Sequence, residues 1–192
     1  SPGGEPPMTT TFRLATLNIW GMPEPLSWPQ RRVRFPRIAK FLDANAFDVI
    51  AIQELWRIPF RPAFERPGLV APAAGEPNSG LAIATRFRVV ETEHVAYGLG
   101  APFIEGLWTS KGTLRASIEI GGVVVDVVDT HTQAYRGPKW SALRAKHLVA
   151  ALEVAKKRPV PFVFCGDFNV FERIASDREA LRAIEAEGFV DA

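Results

Sequence analysis

Four apolar segments of the chain each lead into side chains that can bind a metal ion, a phosphate group or a water molecule. Asn18 follows LATL, Glu54 follows VIAIQ, His131 follows VVVDVVDT, and Asp167 and Asn169 follow FVFCG. A single Asn, His or Asp at such a place is more often a turn former or a structural residue. The repetition is what indicates a function, because strand ends that meet at one edge of a sheet hold their side chains on a rigid frame.

The residue types favour a particular chemistry. Carboxylate and carboxamide oxygens suit Mg²⁺ or Mn²⁺ better than zinc, which would require more His and Cys. Mg²⁺ takes only one or two protein carboxylates and keeps water and substrate phosphate in its other positions. Glu54, with Asn18 nearby, would therefore supply enough protein ligands for a Mg²⁺ site.

The remaining residues complete a reaction centre. Side chains alternate along an extended segment, which predicts that Asp167 and Asn169 share one face. Asp167 could then orient or deprotonate a water, and Asn169 could hold that water or a phosphate oxygen. His131 could donate a hydrogen bond to a phosphoryl oxygen as charge develops. This set predicts metal-assisted hydrolysis of a phosphoester.

Composition is that of a soluble globular protein with one domain. The chain has 192 residues, of which 47% are hydrophobic and 23% charged, and its formal net charge is +2. No apolar run reaches the ~20 residues of a membrane span. The low net charge gives no strong field that would draw the chain to nucleic acid or anionic lipid, although weak local patches are compatible with it. The single cysteine, Cys165, excludes an intrachain disulfide and is expected to be a buried thiol.

The domain is expected to cover residues 12–192. Residues 1–11 are rich in Pro and Gly and lack the apolar stretch of a signal peptide. They are predicted to be a disordered linker or a remnant of cloning. Neither the composition nor this segment indicates a cellular compartment.

The first part of the domain has the pattern of a strand–helix–strand unit. Strands are predicted within 12–20 and 48–56, with a helix between them that begins near Phe35, because Pro36 is tolerated only in a first turn. A further short strand is expected within 79–87.

A hairpin and two helices follow. TLRASIEI and VVVDVVDT are separated by Gly121 and Gly122, which is a strong hairpin signal. A helix is predicted over 141–157. The last helix should carry a capping box formed by Ser176 and Glu179, with Gly188 as its C-cap. The whole pattern indicates a mixed α and β domain with too many strands for one small sheet.

Four blocks of the sequence resemble a known family. LNIWGM, IQELW, DTHTQA and CGDFN are similar, in order and spacing, to the signature blocks of the endonuclease/exonuclease/phosphatase superfamily. The resemblance spans residues 12–192. It implies an α/β (α+β) fold, a four-layer α-β-β-α sandwich of the deoxyribonuclease-I-like type.

Within that superfamily the chain looks most like the neutral sphingomyelinases. GLWTSKGTLRA and THTQA are similar to two blocks of those enzymes. The resemblance implies a Mg²⁺-dependent (or Mn²⁺-dependent) phosphodiesterase that converts sphingomyelin to ceramide and phosphocholine.

The resemblance also implies a role for each site residue. Glu54 would be the principal metal ligand, with Asn18 beside it. His131 and Asn169 would bind and polarise the phosphate, and Asp167 would position the attacking water or the leaving group. Lys111, in the block TSKG, would contact the substrate.

The sequence departs from the family pattern at its C-terminal side. Family members carry a further stretch after the GDxN block, and it ends in an Asp-His pair whose His is the general base. Here the sequence ends at Ala192, and neither His94 nor His147 stands in a context that resembles a replacement. We therefore expect a sandwich that is incomplete at its C-terminal side. The chain would be a fragment, be completed by a second chain or a swapped copy, or bind without catalysis.

Two further features concern partners. The loop over 97–108 would either enter a lipid interface or pack on its own core, and it contains Phe103, Ile104, Leu107 and Trp108. A basic cluster around the first helix would either meet phosphates of lipid or nucleic acid or form a solvated face, and it comprises Arg31, Arg32, Arg34, Arg37 and Lys40.

The expected partner is a phospholipid or another phosphodiester, with contact to a membrane surface, and nucleic acid ranks below it because the net charge is low. A metal-dependent nuclease and an inactive binding module remain alternatives. Trp20 and Trp56, each two residues beyond a predicted metal ligand, would either wall the site or belong to the core.

Overall fold

The computed structural model describes residues 11–21, 30–56, 64–72, 78–98 and 110–189. These residues form two four-stranded sheets with helices on their outer sides. The loop over 97–108, expected either to enter a lipid interface or to pack on its own core, lies mostly outside the described residues. The side chain of Arg31 also lies outside them. None of the helices within the described ranges combines the length and the apolar character that crossing a membrane requires.

The first sheet opens with the predicted strand–helix–strand unit. Strand β1 is Leu14–Asn18, helix α1 is Gln30–Ala44 and strand β2 is Val49–Gln53; β1 and β2 pair in parallel. Strands β3 (Leu69–Val70) and β4 (Ala82–Thr85) complete the sheet in the order β1-β2-β4-β3.

The second sheet contains the predicted hairpin. Its strands are β5 (Arg88–Ala96), β6 (Gly112–Ile120), β7 (Val123–His131) and β8 (Phe162–Asp167), in that spatial order. Gly121 and Gly122 join β6 to β7 with φ values of 57° and 83°, which suits a two-residue hairpin turn.

Helix α2 makes the second parallel connection of the fold. It spans Pro138–Lys156, between the parallel neighbours β7 and β8, and contacts β6, β7 and β8. Helix α3, Ala175–Glu185, packs against α2.

Two apolar clusters produce the four-layer arrangement. One lies between the sheets, where Ala51 and Ile83 of the first sheet pack with Ala116, Val127 and Cys165 of the second. The other lies between the first sheet and α1. With α2 on the opposite side of the second sheet, the layers follow the order α-β-β-α, as the family resemblance implied. Cys165 is buried and its thiol pKa is raised by that burial.

The two sheets are open along one side of the described structure. There, β1 and β8 are the outermost strands of their sheets and contact each other. They border a groove of about 850 Å³ whose lining includes Leu14, Phe162, Phe164 and Phe189.

The predicted start of the first helix was wrong. Helix α1 begins at Gln30, so that Pro36 lies in its interior rather than in its first turn. An interior proline removes one backbone hydrogen bond and costs roughly 3 kcal/mol. The helix persists because Phe35 and Leu42 are buried against the first sheet, while Pro36 itself faces solvent.

The predicted capping box was also wrong. Helix α3 begins at Ala175, its N-cap is Ile174, and no side chain caps it. Ser176 therefore lies inside the helix, where its hydroxyl is 2.5 Å from the hydroxyl of Ser141 on α2. Packing between the two helices has overridden the local signal. The C-cap is Ala186 rather than Gly188, although Gly188 ends the segment with φ 91°.

Replacing Gly166 of β8 tests how closely that strand approaches β7. Its φ is 134°, and a Cβ atom there would lie 2.0 Å from the Thr130 carbonyl oxygen. We expect Gly166→Ala to lower the free energy of unfolding by about 3 kcal/mol or more, measured by urea denaturation. Gly122→Ala is the matched control: φ is also positive, but nothing lies within 4 Å of the added carbon. Equal losses in both variants would contradict this account.

Buried His147 on α2 should make stability depend on pH. Its ring stacks on Tyr97 with centroids 4.3 Å apart, and burial, then the charge of Lys111, lowers its pKa from 6.5 to about 4. Between those pH values the unfolded chain gains a proton that the folded chain excludes, so stability falls as pH falls.

We expect this residue to remove about 2 kcal/mol of unfolding free energy between pH 7 and pH 4.5. The His147→Phe variant keeps an aromatic ring against Tyr97. Between pH 7 and pH 4.5 its unfolding free energy should fall by about 2 kcal/mol less than that of the wild type. Urea denaturation at the two pH values measures the difference. An identical loss in both proteins would contradict the assignment.

Candidate functional site

The predicted residues meet at one end of the two sheets. Asn18 is the last residue of β1, and Glu54 directly follows β2. His131 and Asp167 are the last residues of β7 and β8 and pair with each other across the parallel ladder. Because each sheet contributes a pair of parallel neighbours, the carboxyl ends of four strands lie together.

The Asn18 carboxamide connects the two sheets. Its Nδ2 donates to Glu54 Oε1 at 3.0 Å and to Asp167 Oδ2 at 2.7 Å. Its Oδ1 accepts a hydrogen bond from the Trp20 backbone N–H at 2.8 Å, which fixes the orientation of the amide. In this arrangement Asn18 holds both carboxylates, and its Oδ1, which has a second lone pair, can still bind a metal ion.

Glu54 is held by an unusual backbone. Its φ is 62°, in the left-handed region that non-glycine residues rarely adopt. The following residue, Leu55, donates its N–H to the Gly80 carbonyl at 2.7 Å. Gly21 lies so close that a Cβ atom there would be 1.9 Å from the Glu54 carbonyl oxygen. Glu54 as a residue is 9% exposed, so the surrounding chain places a nearly buried carboxylate at the site.

Asp167 and Asn169 are neighbours through a turn, not through strand alternation. Strand β8 ends at Asp167, and Asn169 has a left-handed φ of 50°, so the expected sharing of one strand face does not apply. The Asn169 N–H donates to Asp167 Oδ1 at 3.1 Å, and its Nδ2 donates to the Thr132 carbonyl at 3.1 Å. The two residues are nevertheless held together, beside the segment that follows His131.

Lys111 and His131 border the site with a lysine ammonium against a histidine ring. The Lys111 Nζ lies 2.9 Å from His131 Nε2, and both side chains are buried. Burial, and then the charges of Lys111 and His147, hold the His131 pKa well below its usual range. The ring is therefore neutral at pH 7. Its approaches to Asp167 (3.6 Å) and Glu54 (3.9 Å) are polar contacts and not ion pairs.

A buried pair beneath the site was not anticipated from the sequence. Gln53 donates from Nε2 to Asp129 Oδ1 at 2.6 Å and to Thr16 Oγ1 at 3.1 Å. The Asp129 carboxyl is fully buried between the sheets, and that burial raises its pKa well above the usual range. The available signal was an acidic residue on the same strand face as His131, two positions earlier in an apolar run.

A buried ion pair that supports two site loops was also missed. Arg144 on α2 bonds both carboxylate oxygens of Asp177 on α3, the closest at 2.8 Å. The same guanidinium donates to the carbonyls of Gln133 and Tyr135, and Asp177 accepts the N–H of Phe171. We call this pair the Arg144–Asp177 clamp. It joins the segment after His131 to the segment after Asn169.

The structure also places the aromatic and histidine candidates. Trp56 is buried and belongs to the core, whereas Trp20 is exposed at the edge of the site. His94 lies 2.9 Å from the Ser79 hydroxyl, and His147 stacks on Tyr97. Neither histidine joins the cluster of strand-end residues.

The donor set fits a hard divalent cation. Glu54 and Asp167 present carboxylate oxygens to one amide group, and Mg²⁺ requires no more than one or two carboxylates from the protein. Within the described ranges, no group of three or more His, Cys, Asp and Glu side chains is placed to hold a metal ion.

Known proteins share this fold. Sphingomyelinase C from Streptomyces griseocarneus superposes with a TM-score of 0.71 at 21% identity, covering 91% of this chain and 70% of that one. A beta toxin variant from Staphylococcus aureus with bound magnesium ions gives a TM-score of 0.75 at 19% identity, covering 91% and 70%. At these identities the similarity establishes the fold alone.

Sequence comparison establishes the family. Human sphingomyelin phosphodiesterase 2 is 27% identical over 182 residues, covering 86% of this chain, while the chain spans only 43% of that protein. The profile of the endonuclease/exonuclease/phosphatase family matches residues 15–182, which is most of the chain. The protein therefore belongs to the endonuclease/exonuclease/phosphatase family.

Proposed function

We propose that this protein is a Mg²⁺-dependent phosphodiesterase that acts on a phospholipid headgroup, in the manner of a sphingomyelinase. The observation that carries the proposal is the convergence of Glu54, Asp167 and His131 around the Asn18 amide. The relatives named sphingomyelin phosphodiesterase support the choice of substrate, sphingomyelin, with ceramide and phosphocholine as products.

In this proposal Glu54 is the principal holder of Mg²⁺, and Asn18 keeps its carboxylate in position. When bound, the cation neutralises charge on the phosphate and polarises it. The protein's contribution is a rigid carboxylate that has already lost most of its water, since Glu54 is 9% exposed. Mn²⁺ satisfies the same hard-oxygen preference.

Asp167 is placed to orient the attacking water and to accept its proton. Its Oδ1 is engaged by the Asn169 N–H, and its Oδ2 faces Asn18 and lies 3.6 Å from His131 Nε2. All three histidines of the chain fall within the described residues, and His131 alone lies in this cluster. Asp167 is therefore the proton acceptor that this chain itself offers.

Lys111 and His131 are suited to the phosphoryl oxygens. The Lys111 ammonium donates to His131 Nε2, so the neutral imidazole carries its proton on Nδ1 and can donate from there to an oxygen. Donors that are already oriented toward developing negative charge contribute strongly in a site with little water. Asn169, fixed on the Thr132 carbonyl, borders the same space.

A metal-dependent nuclease is the second candidate. Helix α1 exposes Arg32, Arg37 and Lys40, which could contact a phosphodiester backbone. Nicking of a plasmid without release of phosphocholine from sphingomyelin vesicles would favour this candidate over the first.

Removing the Glu54 charge should remove activity. We expect Glu54→Gln to lower phosphocholine release from sphingomyelin vesicles by at least about a hundredfold, because the metal-binding carboxylate is lost. EDTA should stop the wild-type reaction, and added Mg²⁺ should restore it. Glu119→Gln, the same change on the partner of Arg88, is the control and should leave turnover unchanged. Undiminished turnover in Glu54→Gln would refute the metal assignment.

Opening the Arg144–Asp177 clamp should reduce kcat separately from stability. Arg144→Met leaves a buried carboxylate unpaired and should cost about 3–5 kcal/mol of stability. The double variant Arg144→Met/Asp177→Leu should recover most of that stability. The kcat of this double variant should still be at least about tenfold below that of the wild type, because the loops after His131 and Asn169 lose their shared anchor.

Arg115 offers the matched control for the clamp. It is another fully buried arginine, bound to Glu91, Glu93 and Asp126 on the second sheet. We expect Arg115→Met to lower the melting temperature without changing kcat below that temperature. A clamp double variant with wild-type kcat would show that the Arg144–Asp177 pair serves stability alone.

A further inference from the structure

Two half-exposed aromatic side chains stand beside the site. Trp20 follows Asn18 by two residues and has 49% of its surface exposed. Tyr135 follows His131 by four residues and has 46% exposed. Both segments leave the carboxyl ends of strands that supply site residues. We refer to Trp20 and Tyr135 as the aromatic rim.

Both rim residues have a strained backbone. The φ of Trp20 is 50° and that of Tyr135 is 77°, in the region that disfavours large side chains. Such conformations persist only where surrounding contacts enforce them, and they are frequent at functional sites. Packing of the rings into a core does not explain the strain, since each ring keeps about half of its surface in solvent.

An arginine from a helix enforces each strained position. Arg34 of α1 donates to the Trp20 carbonyl oxygen at 2.8 Å. Arg144 of α2 donates to the Tyr135 carbonyl oxygen at 2.6 Å. Two separate parts of the fold therefore use the same device to hold an aromatic residue outward at the edge of one site.

Positive charge surrounds the rim. The Arg34 guanidinium lies 5.0 Å from the Trp20 ring centroid. Beside Tyr135, the ring of Trp140 is 5.5 Å away and carries the Lys139 ammonium 4.6 Å from its centroid. Residues 30–42 and 134–140 contain no Asp or Glu. A cationic side chain therefore lies beside Trp20 and another beside Trp140, the neighbour of Tyr135, and both favour contact with an anionic surface.

We propose that the aromatic rim enters the interfacial zone of an anionic phospholipid bilayer and seats the site over a lipid headgroup. Tyr and Trp rings favour the headgroup level of a membrane. Lysine and arginine near the surface add attraction to anionic lipids. This inference rests on the proposed lipid phosphodiesterase function and assigns the surface through which the substrate is reached.

The rim can be tested without any turnover. Purified wild-type protein and the variant Trp20→Gly/Tyr135→Gly are sedimented in EDTA with phosphatidylcholine vesicles, with or without phosphatidylserine. We expect wild-type protein to sediment preferentially with the anionic vesicles. The double variant should partition at least about tenfold less. Because glycine adopts positive φ without strain, its melting temperature should be unchanged or higher.

Phe41→Ala is the matched control. Phe41 is 56% exposed on α1 and packs beside Phe47, which precedes β2 and so lies toward the other end of the first sheet. Its removal should leave vesicle binding unchanged.

Wild-type protein that does not bind anionic vesicles, or a double variant that binds them as well as the wild type does, would overturn the proposal. A double variant that still binds the vesicles but no longer binds single-stranded DNA would also overturn the proposal, because bases stack on aromatic rings.

A soluble substrate separates this inference from the proposed function. Hydrolysis of bis(p-nitrophenyl) phosphate with Mg²⁺ should fall much less in the rim variant than vesicle binding does, since the rim acts on the membrane and not on the reacting bond. Absence of that hydrolysis in the wild type would count against the phosphodiesterase while leaving the vesicle result intact. Equal loss of hydrolysis and of vesicle binding in the rim variant would contradict a surface role for the rings.

Discussion

The arrangement of the site depends on one carboxamide that serves two sheets. Asn18 Nδ2 donates to Glu54 on the first sheet's side and to Asp167 on the second. Carboxylates held close together repel each other, and a shared donor reduces that cost while keeping the two aligned. The Trp20 N–H prevents the amide from turning over. Every proposed role, from holding Mg²⁺ to orienting water, requires that these two carboxylates stay together.

Buried polar contacts beneath the site and in the loops beside it hold that arrangement in place. Gln53 and Asp129 connect the sheets directly beneath the site, and the Arg144–Asp177 clamp anchors the loops that leave β7 and β8. Buried polar groups are costly unless their partners are well placed. Their concentration around the strand ends indicates that the fold accepts this cost where geometry matters for function. The left-handed backbones of Glu54 and Asn169 belong to the same pattern.

The sequence predicted what short-range patterns determine. Apolar runs located β1, β2, β4 and β8, and Gly121-Gly122 located the hairpin, whereas β3 and β5 were not predicted. The polar residues at strand ends predicted the cluster of Asn18, Glu54, His131 and Asp167. Long-range packing decided the rest. Burial of Phe35 extended α1 through Pro36, and contact between Ser141 and Ser176 displaced the expected cap. The clamp joins residues 33 positions apart, and no local pattern indicates such a pairing.

The central claim is that Glu54 binds a divalent cation where the strand ends meet. Crystals of the protein grown with Mn²⁺ and measured for anomalous scattering would test it directly. We expect one strong anomalous peak about 2.1 Å from a Glu54 carboxylate oxygen, with Asp167 and His131 around it. A peak at another place, or none beside Glu54 at a saturating Mn²⁺ concentration, would contradict the claim.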